Sequence, residues 1–231
     1  MERKDLLLTD SQKLGRKTII LKTLLFSLFI TLPANLYAWE RAKEDVKNNI
    51  IIYTRKVKGS TFNEYKAQMK IQASLASLVA LVDDISACPR WIHTCREGRL
   101  LKRVNPQESY TYTINEAPWP VSDRDAIVLN TINQESPKGP VRINILGVPD
   151  YIPEKKGLVR VKMIKGHWLF TPLEEGMTEV VYQVHNDPGG NLPSWLVNSV
   201  VVSQPYHTMV NMRKMVDKEK YKEARYDFIE E

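Results

Sequence analysis

A helical pattern of apolar residues near the C-terminus constrains the fold of this chain more than any other sequence feature. Large apolar residues recur at Trp195, Val202, Met209 and Val216, the period of a helix with one broad apolar side. Two glycines and two prolines in segment 187–195 favour a turn that leads into this helix. Because only strand-like segments precede the helix, we expect it to pack as one long element across a curved sheet. The apolar space between the two is a candidate binding site.

Eight segments before this helix have the patterns of β-strands. Turns rich in proline, glycine and asparagine separate them, so we expect consecutive strands to form an antiparallel sheet. The segments are 49–58, 64–72, 99–104, 109–116, 125–134, 141–148, 158–170 and 178–185. Two short helices, at 74–85 and from Cys88, interrupt the series, and another is expected at 39–47. The sequence therefore predicts an α+β fold in one domain, residues 39–231, with a curved antiparallel sheet around a long C-terminal helix.

Residues 1–38 have the organisation of a signal peptide. A basic region ends at Lys22, the apolar run Thr23–Ile30 follows, and the small residue Ala38 precedes the expected cleavage position. We therefore expect an exported, periplasmic protein. The alternative is a retained membrane anchor, which would need Ile19–Leu21 to extend the apolar run, since a spanning helix takes about 20 residues.

The charge and the motifs exclude several function classes. Half of the formal net charge of +6 lies in residues 1–38, and no stripe of basic and aromatic residues appears, so we expect no nucleic-acid partner. The four histidines lack metal-binding spacing, and no nucleophile or phosphate-binding motif occurs. The sequence thus predicts a non-enzymatic protein without metal or cofactor, and nothing in it indicates an obligate partner, so we expect a monomer.

Export would permit a disulfide between Cys88 and Cys95, but the predicted helix argues against one. A helix over the intervening residues would place the two Cα atoms about 10 Å apart. A disulfide requires a separation below roughly 7 Å. We therefore expect two buried free thiols.

The most unusual polar cluster is Trp119–Asp125. Strand alternation from Arg124 turns either Arg124 or Asp125 towards the interior. Arg124 is a candidate anchor for a ligand head group, whereas for Asp125 we favour a structural ion pair that fixes the Trp119-Pro120 turn. Tyr110 and Tyr112 share one strand face, which either lines a cavity or fills a core.

Several motifs, taken in order, resemble those of the START (StAR-related lipid transfer) domain family, as a bacterial, exported type, over about residues 48–216. They are Trp119–Asp125, Pro153–Arg160, Gly166–Trp168 with Thr171-Pro172, Thr178–Tyr182 and Asp187–Asn198. The resemblance implies a helix-grip fold whose hydrophobic tunnel holds one lipid. It also implies that loop 147–157 and the C-terminal helix form a gate. Asn130 stands where steroid-binding members often have a second arginine.

Two sets of candidate site residues follow. The predicted ligand-binding residues are Tyr110, Tyr112, Arg124, Val128, Asn130, Trp195, Ser199, Val202 and Tyr206. The predicted gate, which also makes transient contact with the membrane surface, consists of Val148, Tyr151, Ile152, Lys155 and Lys156. The alternative for this loop is a solvated segment with incidental lysines. Pro205 is a candidate hinge within the helix.

The main functional hypothesis is a non-catalytic carrier of a lipid or sterol-like molecule. The second is a helix-grip enzyme of the polyketide cyclase or hydrolase type, which would need Tyr110, Tyr112, Arg124 and His185 to converge on the cavity. The third is a regulatory or scaffold module with a filled core. The size of the interior space and the side chains around it distinguish the three.

Overall fold

The structure, a computed structural model, describes residues 37–117, 119–190 and 192–231. The predicted signal peptide lies outside these residues except for Tyr37 and Ala38, so its cleavage and the predicted export stay predictions. Within the described ranges, every helix is too short or too polar to span a bilayer.

One large, open sheet of ten strands forms the body of the described chain. The strands are β1 Glu40–Asp45, β2 Ile50–Arg55, β3 Glu64–Gln72, β4 Cys95–Asn105, β5 Glu108–Asn115, β6 Arg124–Gln134, β7 Val141–Gly147, β8 Val159–Arg160, β9 Met163–Pro172 and β10 Met177–Asp187. Their order in the sheet is β1-β2-β3-β10-β9-β7-β6-β5-β4, with antiparallel neighbours throughout, and β8 pairs in parallel with β6. All eight predicted strands are present, although segment 158–170 divides into β8 and β9.

The prediction of a helix at 39–47 is wrong, because this segment contains β1. The strand has mostly charged, exposed residues and no apolar stripe that a helix would bury. It pairs with β2 along the sheet edge, from Glu40 opposite Thr54 to Asp45 opposite Ile50. Pairing with the sheet satisfies backbone groups, and this tertiary contact overrides a weak helical preference.

The predicted continuous C-terminal helix is two helices, α2 Ser194–Val200 and α3 Ser203–Val216. Pro205 explains the break, because its ring clashes with the carbonyl of the residue four positions earlier, Val201. Pro205 therefore lies in the first turn of α3, where a missing N–H costs little, and the bend precedes it at residues 201–202. The remaining helices are α1 Leu75–Asp83, α4 Glu219–Lys222 and two short 3₁₀ helices, Ile85–Arg90 and Glu174–Gly176.

The main core lies where α1 and α3 pack on the inner face of the sheet. Leu78 and Leu81 of α1, Met209 and Met212 of α3, and Phe170 of β9 are fully buried in it. The serine that precedes α1, Ser74, caps the helix by accepting a hydrogen bond from Ser77 N at 3.1 Å. This core fills one end of the inner face, which leaves the other end to α2.

A second, small apolar cluster lies on the outer face of the sheet. Tyr112, Ile114 and Ile127 form it, and the loop between β7 and β8, residues 148–158, covers it with Val148 and Ile152. This segment is called the β7–β8 loop below. Both faces of β5 and β6 are therefore buried, the inner one under the helices and the outer one under a loop.

The prediction of free thiols is wrong, because Cys88 and Cys95 form a disulfide with a Cα separation of 5.8 Å. The expected helix between them does not form. The 3₁₀ helix ends at Arg90, Trp91 has a φ of −144°, and Thr94 adopts a left-handed φ of 71°. The chain thus turns back at once, and Cys95 starts β4 beside Cys88.

Candidate functional site

A cavity of about 470 Å³ lies between the sheet and the C-terminal helices. This volume falls in the range of about 300–1,000 Å³ that is typical of small-molecule sites. Strands β5 and β6 supply one wall, strands β7, β9 and β10 a second, and α2 with the start of α3 the third. The third wall is made by Leu192, Leu196, Val197, Val200, Val201, Ser203 and Gln204.

The wall from β5 and β6 carries most of the polar groups. Alternate residues of each strand face the cavity, as the pleat of a strand requires. They are Ser109, Thr111, Thr113 and Asn115 on β5 and Arg124, Ala126, Val128, Asn130 and Ile132 on β6. The Asn130 side chain donates a hydrogen bond from Nδ2 to Thr111 Oγ1 at 2.9 Å.

The wall from β7, β9 and β10 is apolar and aromatic. Trp168 stacks on Tyr182 with ring centroids 3.8 Å apart, and Tyr65 meets Tyr182 edge to face at 5.4 Å. Burial raises the pKa of both Tyr65 and Tyr182, so both phenols stay neutral at physiological pH. Ile145 and Ile164 extend the same wall. One side of the cavity thus suits a hydrocarbon surface.

Arg124 places a positive charge against the cavity. The side chain is buried, with 8% of the residue exposed, and burial lowers the pKa of its guanidinium. Arg124 donates to the Ser122 carbonyl, while its buried Nε has no hydrogen-bond partner among the described residues. Asp123, which precedes Arg124, pairs with Arg96 and accepts from Ala117 N, and its charge offsets only part of the effect of burial on the Arg124 pKa. A buried cation without an ion-pair partner is costly, and an anionic group in the cavity would lower this cost.

The next residue, Asp125, faces the outer side and belongs to a different site. Its carboxylate accepts two hydrogen bonds from Arg160, at 2.9 and 3.0 Å, and both side chains are 1% exposed. Arg160 also donates to the carbonyls of Ile152, at 3.0 Å, and Pro153, at 3.2 Å. Asp125 therefore forms a structural ion pair, as predicted, but the segment that this pair holds was predicted wrongly. It fixes the β7–β8 loop rather than the turn at Trp119.

Three of the predicted ligand-binding residues line the cavity: Arg124, Val128 and Asn130. Tyr110 and Tyr112 do not line it, because the residues that alternate with them on β5 face the cavity instead. Tyr110 stacks on Tyr151 of the β7–β8 loop at 4.2 Å, and Tyr112 is fully buried in the outer cluster. The apolar face of β5 fills a small core, and its hydroxyl-rich face lines the cavity.

The predicted helical contacts have the wrong phase. Trp195 is 71% exposed, Ser199 donates to the Leu196 carbonyl, and Tyr206 donates to Asp45 at 2.8 Å. Val202 packs against the core clusters and does not line the cavity. The break at residues 201–202 changes the helical phase, so a single period across both helices selects the wrong side. Leu196, Val197, Val200, Val201 and Gln204 were missed for this reason, and Pro205 was the sequence feature that could have revealed the break.

The predicted gate residues lie on the outer face and do not line the cavity. Val148 and Ile152 pack against the outer cluster, whereas Tyr151 is 41% exposed. Lys155 places its Nζ 4.5 Å from the centre of the Tyr112 ring, and Lys156 is exposed. The cavity borders a different pair of segments, residues 117–121 and 188–192, through Ala117, Val121, Pro188 and Leu192.

The histidines do not assemble a reactive centre. His93 lines the cavity, where burial and the neighbouring His207 lower its pKa, so it stays neutral. His185 does not line the cavity, and its Nε2 lies 3.0 Å from Ser60 Oγ. Among residues 37–117, 119–190 and 192–231, no three His, Cys, Asp or Glu side chains cluster closely enough for a metal ion.

Comparison with known proteins identifies relatives along most of the chain. The START domain model matches residues 34–222. An uncharacterised protein of Pseudomonas aeruginosa is 37% identical over 180 residues, 78% of this chain and 87% of that protein. The crystal structure of a STAR-related lipid transfer protein from Xanthomonas axonopodis superposes with a TM-score of 0.72 at 34% identity, covering 78% and 99%. The phosphatidylcholine transfer protein of Rattus norvegicus is 26% identical over 65% of this chain and 72% of that protein.

Proposed function

Because the chain belongs to the START domain family, we propose that it binds a lipid or sterol-like molecule in the cavity and carries it without altering it. The observation that carries this proposal is Arg124, a buried cation that forms no ion pair among the described residues and lies at the edge of an otherwise mainly apolar space. The named relatives include proteins of lipid transfer, which supports a hydrophobic ligand.

In this proposal, the apolar walls bind the hydrocarbon part of the ligand and the polar wall binds its head group. Burial of hydrocarbon against the aromatic and aliphatic walls contributes about 25 cal/mol per Å² of apolar surface. Arg124 then selects the head group, since a charge-assisted hydrogen bond is stronger than a neutral one. Asn130 offers its amide on the same face of β6.

A catalytic function is less well supported by this arrangement. The enzyme hypothesis requires Tyr110, Tyr112 and His185 beside Arg124, and only Arg124 lines the cavity. Arg124 is a poor general base because it stays protonated at physiological pH. The groups present in the cavity bind and orient a ligand.

The exit route in this proposal runs beneath α2 rather than the β7–β8 loop. Helix α2 has seven residues, none of them buried, and yet lines the cavity with Leu196, Val197 and Val200. A short helix with so little packing is free to move as a unit. Its movement about residues 201–202 would open the cavity.

The membrane contact in this proposal involves two exposed tryptophans beside that route. Trp119 is 93% exposed and Trp195 is 71% exposed, each on a segment that lines the cavity with its neighbours. Residues 117–122 and 188–212 contain no Asp, Glu, Lys or Arg. Tryptophan favours the boundary between lipid and water, so this rim suits a membrane surface. The loop at 148–158 suits it less, because Val148 and Ile152 pack against the outer cluster.

The proposed site of action is an exported compartment. The Cys88–Cys95 disulfide supports this location, because such bonds persist in oxidising environments and are rare in the cytosol. The predicted signal peptide points the same way.

The test is uptake of lipid from labelled vesicles, followed by native mass spectrometry of the purified protein. We expect a stoichiometric lipid in the wild type and its loss in Val128→Trp, which fills the cavity. Val104→Trp is the matched control, since Val104 is exposed on β4 and does not line the cavity. Absence of bound lipid and of uptake in the folded wild type would contradict the proposal.

A further inference from the structure

The cavity carries polar groups at two separate places along β6. Arg124 begins the strand, next to the solvent-exposed turn that contains Trp119. Asn130 lies six residues further on, near Ile132, which is buried in the main core. At a rise of about 3.3 Å per residue, the Cα atoms of Arg124 and Asn130 are roughly 20 Å apart.

The inner polar group differs in chemistry from the outer one. Asn130 and Thr111 are hydrogen-bonded to each other, and Ser109 lies directly opposite Asn130 in the register of β5 and β6. All three are neutral and line the cavity. In the described chain, the Asn130 amide makes only the bond to Thr111, so its carbonyl oxygen and second N–H are open to the cavity.

On β6, the side chains between the two polar groups are apolar, while Thr113 of β5 lies opposite Ala126 in the register. Ala126 and Val128 separate the two polar groups on β6, and Ile164, Leu196 and Val200 line the same cavity from other elements. A ligand with a single polar head at Arg124 would leave its hydrocarbon end against the Asn130 amide. Burying that amide against hydrocarbon forfeits its remaining hydrogen bonds.

We infer that the ligand is an elongated amphiphile with polar groups at both ends, an anionic group at Arg124 and a hydroxyl or amide at Asn130. The inference rests on the proposed carrier function and adds the chemical class of its ligand. A carboxylate, phosphate or sulfate would complete the guanidinium of Arg124 through charge-assisted hydrogen bonds. The second group would bond with the Asn130 amide and the hydroxyls of Thr111 and Ser109.

The experiment compares three probes on the delipidated full chain: hexadecanoic acid, ω-hydroxyhexadecanoic acid and hexadecanol. Isothermal titration calorimetry measures the three dissociation constants. We expect ω-hydroxyhexadecanoic acid to bind about tenfold more tightly than hexadecanoic acid, the gain typical of one additional buried hydrogen bond. Hexadecanol should bind more weakly than hexadecanoic acid, because it brings no charge to Arg124.

Two variants locate the effect. Asn130→Leu should bring the affinity ratio of the two acids to about one. Asn133→Leu is the matched control, since Asn133 is exposed on the same strand and does not line the cavity, and it should keep the wild-type ratio.

The outcomes separate this inference from the function on which it rests. Equal binding of the two acids by the wild type would overturn the two-ended ligand and leave the carrier function standing. A hydroxyl preference that survives Asn130→Leu would also overturn it, because the second contact would lie elsewhere. Failure to bind any of the three probes, together with no uptake from vesicles, would overturn both.

Discussion

Arg124 and Asp125 are neighbours on β6, yet they belong to two sites that differ in how their charges are satisfied. On the outer face, Asp125 and Arg160 form a bidentate pair. Arg160 also donates hydrogen bonds to carbonyls of the β7–β8 loop. On the cavity face, Arg124 is nearly as buried, but its Nε is unbonded and no described acid pairs with it.

The difference separates a charge that is paired within the fold from one that, in our proposal, binds a ligand. A buried ion pair with every donor satisfied has nothing left to offer a ligand, and its disruption harms folding. A buried cation that lacks hydrogen-bond partners beside a cavity lowers the stability of the fold, and an anionic ligand would offset this loss. The sequence places both in one motif, so the environment of each side chain decides its role.

The largest expected effect comes from breaking the outer pair. Asp125→Asn removes the charge while keeping the shape, and leaves Arg160 buried without a counter-ion. We expect the free energy of unfolding to fall by about 3–5 kcal/mol. Urea denaturation monitored by tryptophan fluorescence measures it. Arg124→Gln, the matched change on the other face, should not lower the free energy of unfolding, because it removes a buried charge that no ion pair offsets. Comparable losses in both variants would contradict the difference between the two sites.

The second prediction concerns ligand affinity rather than stability. Arg124→Gln should weaken binding of hexadecanoic acid by about 10–100-fold, because a hydrogen bond to a charged group contributes about 1.5–3 kcal/mol. Binding of hexadecanol should change little. Arg142→Gln, on a β7 residue that does not line the cavity, is the charge-matched control. If both arginine variants lose the same affinity, the effect is one of net charge and Arg124 is not the head-group contact.

The third prediction tests whether the β7–β8 loop is a structural cover or a gate. Tyr151→Ala removes its stack on Tyr110, which is worth about 0.5–1.5 kcal/mol beyond burial. Hydrogen exchange in residues 148–158 should accelerate by about 2–13-fold. As a structural cover, this loop should leave the rate of lipid uptake from vesicles unchanged. A marked change in uptake would return the loop to the role that the sequence predicted for it.

Much of the fold followed from patterns that depend on local geometry. All eight predicted strands exist, because alternation and turn residues are local properties. The sequence does not predict the break between α2 and α3, because the apolar period continues across Pro205. The disulfide was missed because a short 3₁₀ turn replaced the expected helix, and such ends are set by tertiary packing.

Strand alternation predicts only part of the cavity lining. Arg124, Val128 and Asn130 line the cavity, on one face of β6 as strand alternation indicates. Tyr110 and Tyr112 lie on the other side, because the larger side chains of β5 face the outer cluster and its hydroxyl-bearing side chains face the cavity. A sequence pattern shows that a face is buried, but not whether a loop or a ligand covers it.

The smallest expected effect is a pH dependence confined to the outer face. Burial, with a lesser contribution from the charge of Asp125, raises the pKa of Tyr112 from 10.0 to about 12. The unfolded chain therefore loses this proton first, so the stabilisation from Tyr112 is complete below pH 10 and declines as the pH rises towards about 12. Tyr112→Phe removes this contribution, and urea unfolding of the variant should show a shallower alkaline loss than the wild type. Its hydroxyl has no hydrogen-bond partner among the described residues, so stability at neutral pH should change little. A large loss at neutral pH would mean that the phenol belongs to the Asp125–Arg160 pair, and the outer site would then be a three-residue network.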